Sequence, residues 1–128
     1  MVKKQINTKN APEAIGPYSQ AIEIGNFIYT SGQIPLSAKT NKIVSEDFKT
    51  QVVQCLNNLK SILSERNLSF DSIIKLTVYT TDLSKFDIIN DVFVDCFKGI
   101  YPARSVVEVS RLPKDSKVEI ECVSFYEK

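Results

Sequence analysis

Two stretches of this chain repeat their apolar residues at three- and four-residue steps, while the segments around them alternate in twos. In the first, Phe48, Val52, Leu56, Leu59 and Leu63 fall on one side of a helix. In the second, from about Lys85 to Lys98, Phe86, Ile89, Phe93 and Phe97 do the same. Each helix is apolar along one stripe only, so each must lie on another layer. The strand-like segments supply it. Lys3–Ile6 reads as a short edge strand, and Ser19–Ile24 and Phe27–Gln33 as a hairpin turning at Gly25-Asn26. Residues 72–81 (SIIKLTVYTT) are rich in β-branched side chains, and Ala103–Ser110 and Lys117–Phe125 complete the set. The order β-β-β-α-β-α-β-β predicts an α+β fold, a mixed β-sheet with two helices on one face. The other face keeps apolar side chains that nothing in the chain covers, so a further subunit is expected there.

The punctuation agrees with this division. Ser45, followed by Glu46 and Asp47, is the expected N-cap of the first helix, and Asn67 suits its exit. Ser84 and Asp87 resemble a capping box for the second, which Gly99 and Pro102 end. There is no repeat, linker or low-complexity tract, and 128 residues suit a single domain, residues 1–128.

Charge and residue usage narrow the chemistry. Sixteen basic against fifteen acidic residues leave a net charge of +1, and the lysines are scattered, so little field is left to attract nucleic acid or an anionic membrane, and neither is expected as a partner. No run approaches a membrane span, and MVKKQINTKNAPE lacks the apolar core of a secretory signal. Cys55, Cys96 and Cys122 are odd in number and widely spaced, which fits reduced thiols in a cytoplasm-like compartment and neither a zinc site nor a disulfide framework. The chain has no histidine. Ser-His-Asp and Cys-His nucleophiles, histidine metal sites and histidine acid–base pairs are therefore excluded.

Arg104 stands out against that background as one of three arginines, set in the alternating stretch YPARSVVEV. Period two places Ser105, Val107 and Val109 on one face, which suits packing under helices, and Arg104, Val106 and Glu108 on the other. Arg104 is then expected to point away from the helices, toward a partner subunit. In the last strand Val118, Ile120 and Cys122 share one face and Glu119 and Glu121 the other. A hairpin between the last two strands would bring a glutamate to the side of Arg104. A guanidinium binds a carboxylate through two parallel bonds and stays charged when half-buried. A structural ion pair with Glu108, Glu119 or Glu121 is the alternative. Tyr18 in IGPYSQ and Ser31 in SGQIP offer hydroxyls for a ligand or for anchoring loops, and Asn90 sits between Phe86 and Phe93 on the second helix, where it must find a polar partner.

The stretches IGPYSQAIEIGNFIYTSGQIP and YPARSVVEVSRLPKDSKVEIE closely resemble the Rid (YjgF) family, in its reactive intermediate deaminase A branch, over about Asn10 to Val123. The resemblance implies a chorismate-mutase-like fold, a homotrimer with its sheets packed at the centre, and ligand sites in the clefts between subunits. It implies hydrolysis of enamines and imines such as 2-aminoacrylate, by a 2-iminobutanoate/2-iminopropanoate deaminase-like enzyme needing no cofactor and no metal. Arg104 matches the arginine that holds the substrate carboxylate and Glu119 the acid that positions water. Tyr18, Ser31 and Asn90 match residues that line or support the cleft. Two departures stand out: Val106 occupies a position that is often cysteine in this branch, and the segment between Asn90 and Arg104 is somewhat short. Related folds have been described as non-catalytic small-molecule-binding or chaperone-like trimers, and some members of the family carry an endoribonuclease or translation-inhibitor label. The absence of histidine and of a basic groove weighs against the last.

Overall fold

The computed structural model describes all residues, 1–128. Strands β1 (Lys4–Ile6), β2 (Ala21–Ile24) and β3 (Phe27–Thr30) are followed by helix α1 (Phe48–Ser64), strand β4 (Ile73–Thr80), helix α2 (Phe86–Cys96), and strands β5 (Ala103–Glu108) and β6 (Val118–Phe125). This is the expected order, with ends trimmed by a few residues. The six strands form one mixed sheet in the order β1-β2-β3-β6-β4-β5. All neighbours are antiparallel except β4 and β5, which run parallel, a pairing that requires the crossover α2 provides.

The final strands do not pair as a hairpin. β6 lies between β3 and β4, while β5 lies on the far side of β4. The nine residues from Val109 to Lys117 cross the end of β4 instead, with Val109 N–H donating to Thr80 at 2.8 Å and Thr81 N–H to Lys117 at 3.1 Å. Lys114 and Asp115 take left-handed backbone angles in that crossing. β1 and β5 are therefore the two edges of the sheet.

The core lies between the helices and one face of the sheet. Val52, Cys55, Leu56, Leu59, Ile62 and Leu63 of α1 meet Ile28, Leu76, Val78, Val118, Ile120 and Cys122, all buried. Ile89, Phe93 and Phe97 close it from the second helical stretch. The anticipated stripes are real, with one departure: Phe86 begins α2 and remains 38% exposed. Helix starts also shift from expectation. Asp47 caps α1, accepting from Thr50 N–H at 3.0 Å, and Ser45 instead accepts from Asp47 N–H. A 3-10 turn, Leu83–Lys85, leads into α2, and Asp82 caps that turn, accepting from Ser84 N–H at 2.9 Å. α2 itself begins after Lys85 with no side-chain cap, so the capping box expected of Ser84 and Asp87 does not form. An ionised carboxylate accepts a stronger, charge-assisted bond than a hydroxyl and complements the positive end of a helix. Asn67 leaves α1 in the left-handed region, as its residue type allows.

The opposite face of the sheet is bare. Phe27 and Tyr29 of β3 and Val107 of β5 are 39%, 49% and 43% exposed there. This is the uncovered apolar face that the sequence pattern implied.

A candidate active site in two halves

Register decides where the charged side chains point. Leu76 stands opposite Arg104, and Val78 opposite Val106. Residues opposite one another in a ladder share a face, and Leu76 and Val78 are buried in the core. Arg104 and Val106 therefore lie on the helix-covered face, and Ser105 and Val107 on the bare one, the reverse of the expected assignment. Ser105 there accepts from Lys75 Nζ at 3.1 Å. The reason is that β5 is an edge strand. The helix layer thins beyond it, so a long side chain on the inner face still reaches solvent.

Around the guanidinium α2 builds a fitted surround. Arg104 Nη1 donates to Asn90 Oδ1 at 2.9 Å. Its guanidinium carbon lies 5.2 Å from the ring centre of Phe86 and 5.1 Å from that of Phe93. No carboxylate is within ion-pairing distance of Arg104. Glu108, its neighbour on the same face, accepts from Leu83 N–H instead, at 3.0 Å. The structural ion pair weighed above is absent within this chain. Burial lowers the Arg104 pKa from its ordinary value, yet an arginine remains charged throughout the working pH range. Asn90, Phe93, Val94, Tyr101, Pro102 and Arg104 line a recess of about 350 Å³.

Glu119 lies elsewhere. It stands opposite Tyr79 on β4, and its neighbours Val118 and Ile120 point into the core, so it projects from the bare face. Arg104 and Glu119 are thus on opposite faces of one sheet, and no single chain joins them. The glutamate packs against Gly32, where a β-carbon would overlap its carboxylate. Gly32 is held there by reciprocal backbone bonds between Gln33 and Ile120, at 2.8 and 3.0 Å. Burial pushes the Glu119 carboxyl above the usual carboxylate pKa, and the charge of Glu121 adds to the shift.

Tyr18 and Ser31 belong to this second half. Tyr18 is half exposed and borders a cleft of about 430 Å³ together with Ile15, Gly32, Ile34 and Lys114. Ser31 Oγ donates to the Ser19 carbonyl at 2.6 Å and Ser31 N–H to Gln20 at 2.9 Å, tying the IGPYSQ loop beside Gly32. Gln20, not singled out from sequence, is fully buried and organises the preceding loop. Its side chain accepts from Thr8 N–H at 2.7 Å and donates to Thr8 and Pro12 carbonyls at 3.1 and 2.9 Å. The structure therefore brings Arg104 and Asn90 together, and Tyr18, Ser31 and Glu119 to another region. Gly32 joins them beside Glu119, and Phe86 and Phe93 beside Arg104. Their signals were available only as a glycine after Ser31 and a four-then-three spacing around Asn90.

The family model for endoribonuclease L-PSP matches residues 8–125. This chain belongs to that family. A RutC family protein of Pyrococcus horikoshii is 48% identical over 98% of this chain and all of its own length. Escherichia coli TdcF, named as a candidate reactive intermediate deaminase, is 46% identical over 96% of this chain and 97% of its own. Solved structures agree. A Rid family protein of Yersinia pestis superimposes with a TM-score of 0.95 at 45% identity, covering 98% of this chain and 100% of that one. TdcF with bound serine gives 0.90 at 45% identity, covering 97% and 99%. The sheet order and helix placement described above are thus those of the L-PSP/Rid fold. No helix is long and apolar enough to cross a membrane.

Proposed function

We propose that this L-PSP/Rid chain hydrolyses reactive enamines and imines of 2-amino acids to 2-keto acids and ammonia, in clefts shared between subunits of a homotrimer. The observation that carries this reading is a half-buried guanidinium held by α2 with no carboxylate of its own chain to neutralise it. Such a group is ready to take an external carboxylate in a bidentate bond. TdcF, structurally similar and solved with serine bound, supports a small amino-acid-like ligand.

In this reading 2-aminoacrylate tautomerises to 2-iminopropanoate, whose carboxylate rests on Arg104. Water adds to the imine carbon, a proton passes to nitrogen, and the carbon–nitrogen bond breaks to release ammonia and pyruvate. The imine carbon is already electrophilic, so the protein has only to orient water and move a proton. Glu119 takes that role. Its raised pKa brings it toward neutrality, where a carboxylate exchanges protons more effectively. Tyr18 and Ser31 border the water side of the cleft, and Asn90 holds the arginine. Because Arg104 and Glu119 occupy opposite faces of one sheet, they meet only if adjacent subunits contribute one each. The exposed Phe27, Tyr29 and Val107 give the bare face a reason to be covered by those subunits.

The test generates 2-aminoacrylate in place with a serine or threonine dehydratase and follows imine decay. Acceleration by this protein is expected, and none would sink the deaminase reading. Solution mass checks the assembly, since a monomer cannot form the shared cleft. The pH profile checks Glu119. Activity is expected to rise with pH as Glu119 ionises, and Glu121→Gln, by removing the like charge that raises the Glu119 pKa, should move that inflection to lower pH. An unmoved inflection would assign the ionisation to another group.

A further inference from the structure

Resting on the reading above, we infer that Phe86 and Phe93, with Asn90 between them, are positioning residues: two aromatic rings and one neutral acceptor that fix the Arg104 guanidinium while leaving its charge available to the substrate. Three observations converge. The residues are spaced four and three apart on α2, so they lie on one helical face. All three reach the same guanidinium, at 5.2 Å, 5.1 Å and 2.9 Å. No acidic side chain joins them.

The chemistry of the surround explains why these types are used. A carboxylate in place of Asn90 would hold the arginine more strongly but would occupy the fork and cancel the charge the substrate needs. An amide oxygen aims the group and takes only one of its five N–H donors. Ring faces attract the cation through their quadrupoles without consuming any donor. Phe93 is anchored in turn, with its ring centre 5.3 Å from that of Phe97, whose ring meets Phe70 at 5.3 Å in a tilted arrangement. Phe86 has no such backing and stays 38% exposed. An apolar core alone would not select a partly exposed ring over the cation, so Phe86 is the informative position.

The experiment compares wild type, Phe86→Leu, Phe86→Tyr and Asn90→Asp in two measurements. One is steady-state kinetics on the imine. The other is the mobility of the Arg104 Nε–H group by nitrogen-15 relaxation, which needs no turnover. Phe86→Leu keeps apolar bulk but loses the ring. It is expected to raise KM about tenfold with a smaller change in kcat, and to loosen the Arg104 Nε–H. Phe86→Tyr should restore both to near wild type. Asn90→Asp should keep the arginine rigid yet raise KM, because the new carboxylate competes with the substrate's. A Phe86→Leu protein with wild-type KM, or one whose KM rises while Arg104 stays rigid, overturns the inference. A wild-type protein without deaminase activity would refute the proposed reaction. The relaxation data would then decide the clamp on their own: a wild-type Arg104 as mobile as in Phe86→Leu overturns it.

Discussion

Arg104→Lys is expected to lose about 10²-fold or more in kcat/KM on 2-iminopropanoate, while folding and assembling like wild type. The argument is geometric. Lysine keeps the charge but presents a single mobile ammonium, which cannot form two parallel bonds to a carboxylate. A single ammonium also replaces the planar group that meets the Phe86 and Phe93 rings while donating to Asn90. Stability should change little, because Arg104 carries no ion pair within its chain and sits on an edge strand at the rim of the core. Thermal unfolding, solution mass and kinetics measured together check this. An Arg104→Lys enzyme with wild-type kcat/KM would remove Arg104 from the site.

The second large effect concerns a residue without a side chain. Gly32→Ala is expected to lower kcat by roughly 10²-fold, the scale of losing a positioned acid–base group. A β-carbon at Gly32 would strike the carboxylate, Cδ and Cγ of Glu119. The struck atoms are the far end of a flexible side chain, so the glutamate swings away and the backbone stays in place. The unfolding temperature should therefore fall by only a few degrees, while kcat falls to the level of Glu119→Gln. If Gly32→Ala keeps wild-type kcat, the Glu119 carboxylate does not act from the place it occupies beside Gly32.

The sequence made some of this legible and hid the rest for identifiable reasons. Periodicity within one segment is a local property, so the stripes Phe48/Val52/Leu56/Leu59/Leu63 and Ile89/Phe93/Phe97 and the alternation in Val118/Ile120/Cys122 could be read directly. The residue-type resemblance to the Rid family likewise agreed with the family match and with the fold. What alternation cannot supply is the absolute direction of a strand's two faces. For β5 that depends on pairing with β4 in the register Leu76 to Arg104, a contact between residues 28 positions apart that α2 makes possible. Judged by its own residues, β5 offered an apolar face of Ser105, Val107 and Val109 for the core, and that choice was wrong because an edge strand can turn its arginine inward and still reach water. The assumed β5–β6 hairpin failed for a related reason: adjacency in sequence competed with a parallel partner already in place. The helix starts were misread, Ser45 for Asp47 at α1 and Ser84 for an α2 that has no side-chain cap behind an Asp82-capped turn, because several good cap formers stand together and only backbone geometry separates them.

The opposed placement of Arg104 and Glu119 also has a genetic consequence. If each catalytic unit borrows its arginine from one chain and its glutamate from the next, then two defective alleles can rescue one another. Arg104→Lys and Glu119→Gln chains, each nearly inactive alone, should regain activity when unfolded together and reassembled at equal amounts. Random mixing leaves roughly one unit in four with both wild-type side chains. Recovery near that fraction would mean that the working entity encoded by this gene is the seam between two copies of its product. Absence of recovery from well-mixed chains would mean that the two residues do not act together in a shared site.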